Sequence, residues 1–128
     1  MTEPLLHLAE ASLWEAARGT GTYEMSTRGR TLQEEGFIHL SLAHQLPGVA
    51  RMLYGDEGRG GADGHDLVVL VVDPARLTGP VLYEAMKPGG EEFPHLYGPL
   101  PVEAVVEVRP WPGAHGESAV RREEDEPQ

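Results

Sequence analysis

Three histidines lie inside apolar or aromatic runs: His7 in Leu5-Leu6-His7-Leu8, His39 in Phe37-Ile38-His39-Leu40-Ser41, and His95 in Phe93-Pro94-His95-Leu96-Tyr97. Imidazole is the side chain whose ordinary pKa lies nearest neutrality, so a cluster of them points to proton transfer. Glu84, which follows Val81-Leu82-Tyr83, is the carboxylate that could complete such a cluster. A carboxylate in an apolar stretch either pairs, here with His39 or His95, or faces solvent. His39, Glu84 and His95 are therefore the candidate catalytic residues, with Glu84 as general base or as a stabiliser of positive charge. On an extended strand, Phe37, His39 and Ser41 share one face and Ile38 and Leu40 the other. That face offers an aromatic ring, an imidazole and a hydroxyl, a combination suited to a polar ligand with a flat ring. Ser41 and Tyr97 are candidate hydrogen-bonding residues for a ligand, and His7 joins them if its strand borders the same cleft.

Each of these residues also has a plainer reading. His7 reads equally as a core-edge histidine satisfied by a backbone carbonyl. His39 could bond to the loop after it while Ser41 caps the following helix. His95 lies in a segment fixed by two prolines and a glycine, which reads as a rigid loop that either positions a site or plugs the core. Arg28 and Arg30 could meet a pyrophosphate, but they read more simply as solvated loop residues. His44 falls on the first turn of a helix, His65 at the end of a loop and His115 in the tail.

Metal binding is not expected. His39, His95 and Glu84 form a conceivable two-histidine, one-carboxylate set, but no His-x-His, His-x-x-x-His or acidic ligand loop accompanies them. Gly58-Arg59-Gly60-Gly61 lacks the Lys-Ser/Thr of a phosphate-binding loop.

The chain has 128 residues, 40% of them hydrophobic, which fits one domain with one packed core. Its net charge of −11 argues against a nucleic-acid partner, because affinity for phosphates comes from Lys and Arg. Residues 113–128 hold Glu117, Glu123, Glu124, Asp125 and Glu126 against Arg121 and Arg122. This stretch is expected to be a disordered acidic tail on a domain spanning 1–112. No apolar run reaches the roughly 18–20 residues of a membrane span, and no secretory signal is evident. The absence of cysteine removes disulfides and thiolate chemistry and is compatible with a cytoplasmic protein.

The elements that must position these residues follow from pattern. Leu5–Leu8 reads as a first strand. Ser12-Leu13-Trp14-Glu15 has the spacing of a capping box, for a short helix closed by Gly19 and Gly21. Residues 23–32 show no period and read as a loop or short element. Phe37–Ser41 reads as a second strand. Pro47 fits the first turn of a second helix, with Leu46, Val49, Ala50 and Leu53 as its apolar stripe and Gly55 as its end. Residues 55–64 read as a mobile loop. The continuous run Leu67–Val72 reads as a central strand buried on both faces. Val81–Met86 and Ala104–Val108 read as further strands. Strands outnumber helices and strict alternation does not persist, so the predicted class is α+β, with a mostly antiparallel or split sheet.

Glu35-Gly36-Phe37-Ile38-His39-Leu40-Ser41, Gln45, the 66–73 strand, Tyr83-Glu84, Phe93-to-Leu100 and Ala104-Val105 together resemble the domain-of-unknown-function family 952, in order and spacing from about Leu6 to about Pro110. Leu40 departs from the family, which often has cysteine there. The resemblance implies an ADP-ribosyltransferase-like fold: split small antiparallel sheets, here with two short helices, around a cleft for a nicotinamide dinucleotide. It implies NAD as a conceivable cofactor, with His7 and His39 orienting it and Glu84 stabilising a sugar cation, an assignment by order along the chain.

The leading expectation is a small enzyme that binds NAD or a nucleoside-like ligand in a cleft lined by His7, His39, Glu84 and His95. The alternatives are acid–base isomerisation, elimination or cyclisation of a different small molecule, and a non-catalytic binding module.

Overall fold

The computed structural model describes residues 3–54, 67–85 and 87–111. The run Leu67–Val72 forms strand β6, the centre of a three-stranded antiparallel sheet with β1 (Leu5–Glu10) and β10 (Val105–Pro110) at its edges. β1 runs against β6 in unbroken register, from Leu5 opposite Val72 to Glu10 opposite Leu67. Period-two alternation serves two cores at once. Leu5, Ala9, Leu70 and Val72 face the main core with Trp14, Ile38 and Leu96. Leu6, Leu8, Leu67, Val69 and Val71 face the opposite way, onto Leu46 and Ala50 of α3 (Leu46–Tyr54). A strand covered on both faces needs no polar positions, which is why the sequence reads Leu-Val-Val-Leu-Val-Val.

Helix α1 spans Ala11–Thr20, two residues earlier than the Ser12 box predicts. Glu10 is its N-cap and makes no side-chain cap bond; Glu15 pairs instead with Arg18 on the exposed surface, at 3.0 Å. β1 continues to Glu10, so the chain turns into the helix too soon for Ser12 to stand outside it. Trp14 and Ala17, three apart, form the buried face. Gly21 ends the helix at φ 99°, a left-handed conformation that glycine adopts without strain.

Residues 22–35 are more ordered than their sequence predicts. They form β2 (Thr22–Tyr23), the hairpin β3 (Met25–Thr27) and β4 (Arg30–Thr31), and the single-turn helix α2 (Leu32–Glu35). The capping box is here: Thr31 Oγ1 accepts from Glu34 N–H at 3.2 Å, and Glu34 Oε1 accepts from Thr31 N–H at 2.8 Å. β2 pairs with β9 (Leu100–Pro101).

The second three-stranded antiparallel sheet has the order β5-β8-β7, with β5 Ile38–His39, β7 Val81–Ala85 and β8 Glu92–Leu96. The segment around His95 is thus the centre of a sheet and not a loop. Pro94 conceals this, since proline supplies no N–H to a ladder and is rare in central strands. It is accommodated because its carbonyl accepts from Leu40 N–H at 2.9 Å. The two sheets are joined where Leu6 and Ser41 exchange backbone hydrogen bonds of 2.8 and 2.7 Å.

The class is α+β with antiparallel sheets. Three α-helices, all before residue 55, are present among the described residues where two were expected. No helix among them is long and apolar enough to cross a membrane. The predicted Gly55 helix end, the loop over 55–64, Met86 and the tail over 113–128 lie outside the described residues.

Candidate acid–base site

Alternation along the second sheet sets one of its faces. Phe37 and His39 near β5, Phe93 and His95 on β8 and Glu84 on β7 point the same way, with Tyr97 just past β8. His39 is directly opposite His95, and Glu84 is opposite Phe93. Phe37 stacks on His95 with ring centroids 4.1 Å apart, and the rings of His39 and His95 meet edge-on at 5.0 Å. The opposite face carries Ile38, Leu96 and Val81 into the main core.

Glu84 does pair with His95, as one of its predicted roles required. Its Oε1 accepts from His95 Nδ1 at 2.9 Å and from the Tyr97 hydroxyl at 2.6 Å. Those two donors, Tyr97 first, hold the Glu84 carboxyl below its usual range, and the carboxylate in turn pushes the Tyr97 hydroxyl up. His95 Nε2 is buried without a hydrogen-bond partner.

His39 belongs to a second carboxylate pair. Its Nε2 lies 3.9 Å from Glu35 Oε1, and Glu35 Oε2 lies 3.1 Å from Arg30 Nη2. Burial lowers the His39 pKa, the nearby His95 adds to that, and Glu35 opposes both. A depressed pKa keeps the ring neutral near pH 7, with a lone pair available to take a proton.

His7 is placed differently. It is buried, its Nδ1 is 2.7 Å from the carbonyl oxygen of His39, and its Nε2 is 3.1 Å from the Tyr23 hydroxyl. A carbonyl only accepts, so Nδ1 carries the proton and Nε2 accepts from Tyr23. Both ring nitrogens are engaged, and burial depresses the His7 pKa to about 4. Its core-edge reading is the one this geometry matches.

Between the two sheets, α3 and the 25–31 hairpin lies a cavity of about 420 Å³. Its walls are mainly apolar: Leu8, Leu40, Val49, Met52, Leu53 and Phe93. Its polar positions are His7, Ser26, Thr27, Arg30, Glu35, His39 and Ser41. The predicted site residues therefore divide. His7, His39 and Ser41 line the cavity, while Glu84, His95 and Tyr97 form a cluster behind His39 and do not line it. Of the four residues expected to line one cleft, this cavity takes His7 and His39, and His39 in turn meets the ring of His95 in the rear cluster. In the rear cluster the ring of His95, on the central strand β8, is stacked by Phe37 and held by Glu84 from the next strand.

The sequence reading gave Glu35 and Ser26 no role. Glu35 stands four residues before His39 across the Gly36 turn, a spacing that could have flagged it. Ser26 had no signal, because its strand is too short to show a period. Arg28 does not reach the cavity polar end; its Nη1 donates to the carbonyl of Leu53 at 2.7 Å, tying the hairpin to α3. Among the described residues, no group of three His, Cys, Asp or Glu side chains is arranged to hold a metal ion.

The sequence profile of the family described as "Protein of unknown function (DUF952)" matches residues 8–108. The chain belongs to this family. Among solved structures, the crystal structure of protein CC0527 from Caulobacter crescentus is similar, at 30% identity over 84% of each chain with a TM-score of 0.65. The crystal structure of a double mutant of CC0527 gives a TM-score of 0.64, and its solution NMR structure 0.61 over 82% of this chain and 81% of that one. No curated protein matches. The DUF952 match runs from Leu8 in β1 to Val108 in β10, so it spans both sheets and every described residue of the cavity except His7.

Proposed function

We propose that the cavity is an acid–base site for a small, uncharged and largely apolar molecule, with His39 as the proton-transferring group and Glu35 as its carboxylate partner. The observation that carries this reading is the position of His39: partly buried in the wall of an apolar cavity, with a carboxylate 3.9 Å from Nε2. A neutral imidazole can remove a proton, and the adjacent carboxylate favours the imidazolium that results. The Glu84–His95–Tyr97 cluster supports the ring of His39 from behind. The volume suits a small molecule, and the apolar walls suit one with few polar groups.

The split into two small antiparallel sheets favours a second reading, in which the fold is ADP-ribosyltransferase-like and the cavity takes NAD or a nucleoside-like part of it. Three features weigh against it. Arg30 is already paired with Glu35, both nitrogens of His7 are engaged, and Glu84 stands outside the cavity.

A thermal-shift panel separates the two. Small neutral carbonyl and hydroxyl compounds are expected to raise the Tm, and His39→Ala to remove the shift. A rise with NAD or ADP-ribose, lost in His39→Ala, would carry the second reading instead. Shifts that ignore the His39 substitution would sink both.

A further inference from the structure

Ser26 lies in β3, which packs beside β5 and its His39. The residue has no exposed surface, yet it borders the cavity, and its Oγ is a buried hydroxyl without a hydrogen-bond partner. A buried polar atom left unpaired costs about 1–3 kcal/mol, so such atoms are uncommon in folds and call for a reason. Here the surroundings supply none from the protein. The hydroxyl holds no bond that would fix its rotamer, and the residue lines a space large enough for a ligand.

We infer that Ser26 is a ligand-binding residue whose hydroxyl donates to a neutral acceptor, a carbonyl oxygen, on the molecule that fills the cavity. This deepens the acid–base reading and rests on it. The choice of a carbonyl follows from what the polar end already holds. His39, neutral, and Glu35, anionic, both supply acceptors there. The Arg30 guanidinium is engaged with Glu35 at 3.1 Å, and with Glu34 at 3.8 Å. The hydroxyl of Ser26 is a donor with no partner, so a ligand acceptor is the group that completes it. A charged acceptor is disfavoured, because the walls are apolar and Glu35 is close.

The test uses two small aromatic probes that differ chiefly by a carbonyl oxygen, acetophenone and ethylbenzene, with binding to the full chain followed by NMR shifts of residues around the cavity. Acetophenone is expected to bind more tightly than ethylbenzene. In Ser26→Ala its Kd is expected to rise about fivefold, the effect of one neutral hydrogen bond, while the Kd of ethylbenzene stays unchanged. The Tm of Ser26→Ala without ligand is expected to hold or rise, because the substitution removes an unpaired buried hydroxyl. A structural hydroxyl would behave in the opposite way, and a lowered Tm with unchanged acetophenone affinity overturns the inference. If the two probes bind alike and still move the His39 signals, the carbonyl assignment falls and the acid–base cavity stands. If neither binds, both fall.

Discussion

The ring of His7 donates its Nδ1 proton to the backbone carbonyl of His39, 2.7 Å away, so one predicted site residue holds the strand that carries another. The Tyr23 hydroxyl fills the other nitrogen at 3.1 Å. His7 is therefore a clamp between the first sheet and β5. In the fold its ring stays neutral down to about pH 4.

That clamp makes stability depend on pH. In the unfolded chain His7 takes up a proton near its ordinary value of 6.5; in the fold, burial defers this to about 4. Between those values the unfolded state binds more protons, so acid favours unfolding. The contribution of His7 is full above about pH 6.5 and is lost as pH falls toward 4, on the order of 3 kcal/mol in all. The depressed pKa of His39 acts in the same direction. Denaturant titrations between pH 4 and 8 should show unfolding free energy climbing to about pH 6.5 and levelling off. His7→Asn, which keeps a donor for the His39 carbonyl, should remove part of the slope. A wild-type profile that is flat over the acid limb would contradict the clamp.

Tyr97 has a separate, local signature. Its hydroxyl is the first cause of the low pKa of Glu84, ahead of His95. Tyr97→Phe should therefore move the Glu84 midpoint up toward the ordinary carboxylate value, as read from its side-chain carboxyl ¹³C shift during an acid titration. A midpoint equal to that of the wild type would show that His95 alone sets it.

Gly79 tests how Tyr97 is held in place. A Cβ built there would lie 2.6 Å from the carbonyl oxygen of Tyr97, which is backbone and cannot swing aside. Tyr97 N–H also donates to the carbonyl of Pro80 at 2.9 Å, so the two segments are pinned together. Gly79→Ala should cost on the order of 1–3 kcal/mol, as overpacking does in a close-packed contact. The expected readouts are a lowered Tm and a raised Glu84 midpoint, because the hydroxyl is carried away with the backbone. An unchanged Tm would mean that the loop gives way freely.

Legibility in the sequence followed the length of the pattern. Leu67–Val72 is long, continuous and bounded by Asp66 and Asp73, and it is the central strand it was expected to be. The shared face of Phe37 and His39 follows from the two-residue period of a strand. The pairing of Glu84 with His95 was one of three options, beside pairing with His39 and facing solvent, and choosing among them needed the β7–β8 register. Other features were hidden for physical reasons. Pro94 carries the signal of a strand breaker inside a central strand, because one proline carbonyl can still serve a neighbour. Ser12 and Glu15 have the spacing of a capping box but lie inside a helix that begins at Ala11, while Thr31 and Glu34 make the real one. Ser26 lies in a three-residue strand whose neighbours are set by folding at a distance. The division of the predicted site into a cavity group and a rear cluster depends on which side of β8 is covered, and no local pattern records that.

The exchange of backbone bonds between Leu6 and Ser41 has a mechanical consequence. Those two residues are the seam along which the two sheets meet, and Ser41 also lines the cavity. The cavity is thus built across a joint, with β1 on one side of it and β5 on the other. A molecule filling that space would touch both sheets at once, through His7 and Leu8 on one side and His39 and Leu40 on the other.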